Sequence, residues 1–294
     1  MEFLGLREFS GDVYSQFGED GIIAQILDRI EAVQPLTHWC VEFGAHDGVF
    51  MSNTCNLVRT RRFRAVMIES DLRRARELAV NHPQPEVIKI TATVGFDGDN
   101  RLDRILASTP IPKEFDLLSI DIDGCDYWIL DSIEEYRPSV IVVEFNPTIP
   151  NAVDFVQPRN LGVQQGSSPR ALLRLAVSKG YELVGVTEVN LLLIRSDLHG
   201  AVMGPGVQKV SLEALRDDSA AITYSFAGFD GTLLFSSPEI LFPWHNVAVD
   251  TGRIQPIPKF WRTYRGTWKN LRFQTWKIFR RRTRRFLPPK SKNQ

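Results

Sequence analysis

No run of about 18 apolar residues occurs in this chain, so no membrane-spanning helix is expected. The opening stretch MEFLGLREFSGD carries Glu2, Arg7 and Glu8 and has no continuous apolar core, so no secretory signal is expected either. Cysteine is scarce. Cys40, Cys55 and Cys125 form an odd set without a CxxC pair, which suits a reducing cytoplasm and argues against a zinc cage. A GxGxxG string is absent, which leaves pyrophosphate cradling for a nicotinamide cofactor poorly supported. From Arg253 onward there are 14 Lys and Arg and no Asp or Glu. The first 252 residues hold 21 basic and 35 acidic residues, so the formal charge of zero divides into an acidic body and a basic tail. Such a tail suggests an anionic partner, and uniform nucleic-acid affinity over the body is not expected.

What is present reads as one large α/β domain with appendages. The chain has 294 residues and 43% hydrophobic composition, enough for a sizeable core. Ile22, Ile23, Ile26, Leu27 and Ile30 follow helical spacing and end before Pro35. A short apolar strand then runs into a turn in HWCVEFGAHDG. Further strands are expected at Ala65–Glu69, Val87–Val94, Phe115–Ile122, Val140–Phe145, Leu183–Val189 and Leu191–Ile194. Helical patterns fall at 72–80, 127–136 and 168–179. Val/Ile/Leu runs alternating with helices imply a mainly parallel sheet covered on both faces. The last two strands are separated only by Asn190 and read as an antiparallel hairpin.

Ligands of open α/β sheets bind at the carboxyl ends of strands. The first strand ends in Glu42-Phe43-Gly44-Ala45-His46-Asp47-Gly48, where Gly44 permits a tight turn. Glu42, two residues before that glycine, suits a cationic ligand such as the amino end of S-adenosylmethionine. Glu69, ending the second strand 25 residues after Gly44, is placed to accept ribose hydroxyls. The fourth strand ends in Ser119-Ile120-Asp121-Ile122-Asp123-Gly124-Cys125-Asp126 and the fifth in Glu144-Phe145-Asn146-Pro147. These acids would repel one another unless neutralised. A divalent cation on Asp121, Asp123, Glu144 and Asn146, a raised carboxylate pKa, or a cationic ligand would each resolve the conflict. Capping of the next helix by Asp123 or Asp126 is the plain alternative. An EF-hand is rejected because its later Glu is missing.

The strings Tyr14-Ser15-Gln16-Phe17-Gly18-Glu19-Asp20, EFGAHDG with Ser52-Asn53-Thr54, and DLLSIDIDGCD together resemble the FkbM-type S-adenosylmethionine-dependent methyltransferases over about residues 12–195. The resemblance implies a Rossmann-like methyltransferase fold: a seven-stranded, mostly parallel sheet with an antiparallel last strand. The chain is expected to divide into a domain at 1–198, an accessory segment at 199–252 packed on the core and a basic aromatic tail at 253–294, the last two forming the C-terminal extension. The resemblance implies that Glu42, Gly44 and Asp47 sit by the methionine part of the cofactor, that Glu69 holds the ribose, and that Asp121 lies beside the transferred methyl. Gln16, Glu19 and Asp20 would fold over the cofactor or form a surface turn. Ser52, Asn53 and Thr54 would bind its carboxylate or cap a helix. Asp123-Gly124-Cys125-Asp126 departs mildly from the family's acid-Gly-acid pattern.

The expected activity is O-methyl transfer to a sugar hydroxyl of a glycan or glycolipid precursor, with S-adenosylmethionine and, as an option, Mg2+ or another divalent cation. Asp121, His46 and His245 are the candidate bases. The loop at 146–165 is a candidate acceptor wall. In the tail, Trp261, Tyr264, Trp268 and Leu271 step by three or four and share a helix face, followed by Arg280, Arg281, Arg282, Arg284 and Arg285. Residues 259–286 therefore suit an anionic membrane surface; RNA and packing on the acidic body are the alternatives. A cytoplasmic protein is expected, with a peripheral position at the inner membrane surface as the tail's option. The rival functions are a non-catalytic membrane-associated binding or trafficking module and an RNA methyltransferase.

Overall fold

The computed structural model describes residues 6–237, 239–262 and 265–283. The chain forms two compact units, Met1–Ala221 and Ile222–Gln294. The first begins with α1 (Glu19–Glu31), β1 (Trp39–Phe43), α2 (Cys55–Arg61), β2 (Arg64–Glu69), α3 (Leu72–Asn81) and β3 (Val87–Thr91). It continues with α4 (Leu102–Leu106), β4 (Leu117–Ile120), α5 (Asp126–Ser132), β5 (Val140–Glu144), α6 (Pro169–Ser178), β6 (Tyr181–Val186) and β7 (Asn190–Arg195). Two short helices, α7 (His199–Met203) and α8 (Leu212–Leu215), complete it.

The seven strands form one sheet in the order β3-β2-β1-β4-β5-β7-β6. β7 lies between β5 and β6 and runs antiparallel to both; the remaining pairings are parallel. The strands read as unbroken apolar runs because both faces are buried, and the two-residue period divides each run between two cores. Val41, Phe43, Val66, Ile68, Leu118, Ile120, Ile141 and Val143 enter the core shared with α4, α5 and α6. Cys40, Ala65, Met67, Leu117, Val140 and Val142 enter the other, with Ile22, Ile26, Leu27 and Ile30 of α1. All three cysteines are buried and free.

The structure trims several expected elements. β4 stops at Ile120, because Asp123 takes a left-handed φ of +56° and turns the chain out of the ladder. α5 ends at Ser132. The β6–β7 turn is Thr187–Val189, and Asn190 is the first residue of β7. The expected accessory segment is divided: Val202, Met203, Leu212 and Leu215 bury their side chains in the first unit's cores. The second unit carries two small antiparallel pairs, β8 (Ser225–Ala227) with β9 (Leu233–Phe235) and β10 (Leu241–Phe242) with β11 (Val247–Ala248). It also carries α9 (Thr267–Thr283). Tyr264, Arg284, Arg285 and Phe286 of the basic aromatic tail lie outside the described residues. Among the described residues no helix is long and apolar enough to cross a membrane.

Candidate active site

The turn after β1 is held in a costly conformation. Gly44, His46, Gly48 and Met51 all have left-handed φ values, of +72°, +51°, +76° and +57°. A non-glycine residue in that region is strained by roughly 1–3 kcal/mol and needs surrounding structure to hold it. Gly44 is also required by packing, since a Cβ there would fall 1.7 Å from the Asp121 carbonyl oxygen. Carboxylates provide the restraint. Glu69 accepts from the backbone N–H of His46 and of Asp71, each at 2.7 Å. Asp47 Oδ1 accepts from the N–H of Val49 at 2.9 Å and of Phe50 at 2.7 Å.

Glu42, Ser52, Asn53 and Thr54 form a closed, buried network. Glu42 accepts from Ser52 Oγ at 2.6 Å, Thr54 Oγ1 at 2.7 Å and the Asn53 N–H at 2.8 Å. Asn53 Nδ2 donates to Ser119 Oγ on β4 at 3.0 Å. Burial raises the Glu42 carboxyl above its ordinary range, and these hydrogen bonds oppose the shift. Glu42 and Ser52 are committed within the protein, and Asn53 ties β1 to β4.

The acids that remain available stand at the ends of β4 and β5. Carboxylate oxygens of Asp121, Asp123 and Glu144 all lie within 4.8 Å of one another. Burial, reinforced by the nearby Asp123, pushes Asp121 up to about 6. Burial and the charges of Asp121, Asp126 and Asp123 push Glu144 far above the carboxylate range. Glu144 favours the ionised form of Asp121, and Asp121 favours the protonated form of Glu144. Asp126 is buried and accepts from the N–H of Ile122 and of Gly124, each at 3.0 Å, so it braces the loop before α5. Its pKa is raised to about 7, by burial first and Asp121 second.

Asn146 departs from the expected ligand set. Its Oδ1 accepts from the Thr148 N–H and hydroxyl, and its Nδ2 donates to the Gln165 carbonyl. Its amide organises the loop after β5. Three hard carboxylate donors suit a divalent cation and suit an organic cation equally well.

The structure places the other candidates as follows. The His46 ring is tilted against Phe50 with centroids 5.3 Å apart, and its Nδ1 is 3.5 Å from Asp47 Oδ1. His245 belongs to the second unit, exposed at the end of the 3-10 turn Pro243–His245. Gln16 is exposed, whereas Glu19 and Asp20 are buried. Asp20 Oδ2 accepts from the N–H of Val13, Tyr14 and Ser15 at 2.6–2.9 Å. Glu19 Oε1 accepts from Thr187 Oγ1 at 2.6 Å and Asn190 Nδ2 at 3.0 Å. Those two acids fasten the N-terminal strap to the β6–β7 turn.

Beside this strap is a cavity of about 630 Å³, bounded by residues 7–17, the β6–β7 turn, Pro147 and residues 215–221. Of the candidate cofactor residues only Gln16 lines it. Thr187, which lines it, accepts from the Asn190 N–H at 3.1 Å, and Asn190 is the ladder partner of Glu144. Nothing local in the sequence marks Thr187, Asn190 or Arg216 as site residues. Arg216 donates to the carbonyls of Pro147 at 2.7 Å and Ile149 at 3.1 Å, and to Asn151 Oδ1 at 2.7 Å. These partners are distant in sequence, and no local pattern marks them. From the expected acceptor wall at 146–165, only Pro147 reaches the cavity.

No curated protein sequence matches the chain. Among solved structures, it is similar to the CMeT domain of the citrinin polyketide synthase, at 12% identity over 63% of this chain and 55% of that one, with a TM-score of 0.39. It therefore spans about 55% of that domain's chain. A carbon methyltransferase, CurJ, shows 8% identity over 62% of this chain and 56% of that one, with a TM-score of 0.39. TrmK of M. capricolum, solved with S-adenosyl-homocysteine, shows 12% identity over 58% of this chain and 66% of that one, with a TM-score of 0.33. Residues 98–183, the segment carrying β4, the acid cluster and β5, match the family model described as the methyltransferase FkbM domain.

Proposed function

We propose that the chain is an S-adenosylmethionine-dependent methyltransferase that methylates a hydroxyl of a glycan or glycolipid precursor. The observation that carries this reading is the group of Asp121, Asp123 and Glu144, crowded together beside the Gly44 turn inside the matched segment. Three carboxyls this close need protons or a cation, and an organic sulfonium has the required charge. When bound, the cofactor supplies an electrophilic methyl group. Glu69 would bind the ribose through lone pairs not used by the His46 and Asp71 amides. Asp121 and Glu144 hold positive charge near the reacting atoms, and one of them takes the proton of the acceptor hydroxyl. Taking up that proton would keep the charge of the cluster balanced once the cofactor's positive charge is gone.

The acceptor would occupy the cavity beside the strap. Its lining includes Arg7 and Arg216 but also Asp12, Glu188, Asp217 and Asp218, a negative balance. Anions are disfavoured there, while hydroxyl groups can donate to the carboxylates and accept from the guanidinium groups. Phe17 and Leu215 add apolar surface for the carbon face of a ring. A neutral polyhydroxylated acceptor fits this lining better than a phosphorylated one.

Calorimetric titration of the full chain with S-adenosylhomocysteine, with and without Mg2+, tests the cofactor half. Stoichiometric binding that weakens strongly in Glu69→Ala is expected. Enhancement by Mg2+ would add a metal on Asp121, Asp123 and Glu144. Absence of binding by folded protein in both conditions overturns the reading in favour of a non-catalytic module.

A further inference from the structure

Helix α9 has two apolar faces, and the described residues of its own unit cover only one. On the covered face, the Phe273 and Trp276 rings stack with centroids 5.9 Å apart. Arg280 lies over the Trp276 ring at 5.2 Å and donates to the Pro256 carbonyl at 2.7 Å. Arg272 lies over the Phe260 ring at 4.5 Å. These contacts tie α9 to residues 256–260 of its own unit. Trp268, Leu271 and Ile278 lie on a different side, since offsets of three and seven residues return to one stripe of a helix. They are 78%, 59% and 55% exposed.

Lys269, Arg272, Lys277, Arg280 and Arg281 share the helix, and no acid follows Arg253. A partner for this surface must therefore be anionic and must also accept large apolar side chains. A nucleic acid offers phosphates but no bed for Leu271 and Ile278. An anionic lipid surface offers both, with phosphate headgroups above an acyl interior and an indole-favouring boundary between them.

We propose that α9 docks the protein peripherally on an anionic bilayer, with Trp268, Leu271 and Ile278 entering the boundary between headgroups and acyl chains. The acidic first 252 residues are repelled by such a surface, so the basic end is the part that makes contact. This inference is independent of the methyltransferase reading.

The test is co-sedimentation of the full chain with vesicles of phosphatidylcholine alone or mixed with phosphatidylserine. Binding is expected with the mixed vesicles only, falling at least about tenfold between low and high salt. The double variant Leu271→Ser/Ile278→Ser is expected to lose about tenfold or more while keeping the parent circular dichroism, because both side chains are already exposed. A blue shift of tryptophan emission on vesicle addition should shrink in Trp268→Phe. Equal binding to both vesicle types, undiminished binding by the double variant, or no vesicle binding at all overturns the proposal. If vesicle binding is absent, salt-sensitive binding of an RNA oligonucleotide would reassign the surface to nucleic acid. Protection of Trp268 from iodide without vesicles would reassign it to the chain's own acidic body.

Discussion

Two acids next to each other in sequence can do unrelated work, and the carboxylates of this chain divide that way. Glu42 and Asp126 are bracing groups, each accepting from two or more donors inside the protein. Asp121 and Glu144 keep raised proton affinity. The sign of the resulting pH dependence follows directly. Asp121 and Asp126, ordinarily at 3.8, are raised in the fold to about 6 and about 7. The native state thus holds protons that the unfolded chain releases, and stability is lost as pH rises from about 4 to about 7. Urea unfolding without ligand should show that decline, and Asp121→Asn should flatten it by removing one of the two shifted groups and the charge that raises the other. S-adenosylmethionine, whose charge favours ionised carboxylates, should bind progressively more tightly over the same rise in pH than the uncharged-sulfur product does. Equal pH profiles for the two ligands would contradict a role for the cluster in holding the sulfonium. Gly44→Ala should destabilise the fold by more than about 2 kcal/mol, because the added Cβ meets the Asp121 backbone and the residue must keep a positive φ.

At the scale of elements, the N-terminal strap depends on side chains more than on apolar contact. Asp20 gathers the amides of Val13, Tyr14 and Ser15, and Ser15 Oγ accepts from the Asp20 N–H at 3.0 Å, a reciprocal cap on α1. Asp20→Ala should raise amide exchange at those three positions about tenfold or more while leaving β1 and β4 protected. Unchanged exchange would mean that the strap is held by something else. Glu19→Ala removes the acceptor for Thr187 and Asn190 and should cost about 2–3 kcal/mol in thermal unfolding. Much of this scale was legible in the sequence. The 3.6-residue spacing of α1 and the apolar runs of β1, β2 and β5 are backbone-level signals that tertiary contacts reinforce. The ends were less legible. β4 terminates early because of the left-handed Asp123, and an aspartate can occupy that region or an ordinary one with little to distinguish the two in sequence.

For the whole molecule, both hydrophobic cores close within the first unit, with α7 and α8 supplying their last apolar residues. A chain ending at Ala221 should therefore unfold in one cooperative transition and still bind the cofactor product. A chain ending at Leu198 would expose the surfaces that Val202, Met203, Leu212 and Leu215 cover, and should be markedly less stable. Comparative denaturation of the two chains checks this, and equal midpoints would contradict it. The negative charge of the first 252 residues and the positive charge after them oppose each other, so salt should alter association of the full chain with charged surfaces far more than it alters its folding.

The sequence by itself determined the alternation of strands and helices, the glycine that the β1 turn requires, and the presence of many acids after β4 and β5. Those properties are local: they follow from periodicity, backbone freedom and charge spacing. Only the tertiary structure decided which acids are consumed and which are available. Glu42 is consumed by residues ten to twelve positions away, and Glu19 by Asn190 across 171 positions, so hydrogen-bond partners come from folding and not from neighbouring letters. The fold likewise decided that Asn146 organises a loop, that Arg216 secures the chain after β5, and that α9 packs Phe273 and Trp276 within its own unit and not Trp268, Leu271 and Ile278. A side chain's chemistry is written in its type, but its availability depends on which groups the finished sheet brings within about 3 Å.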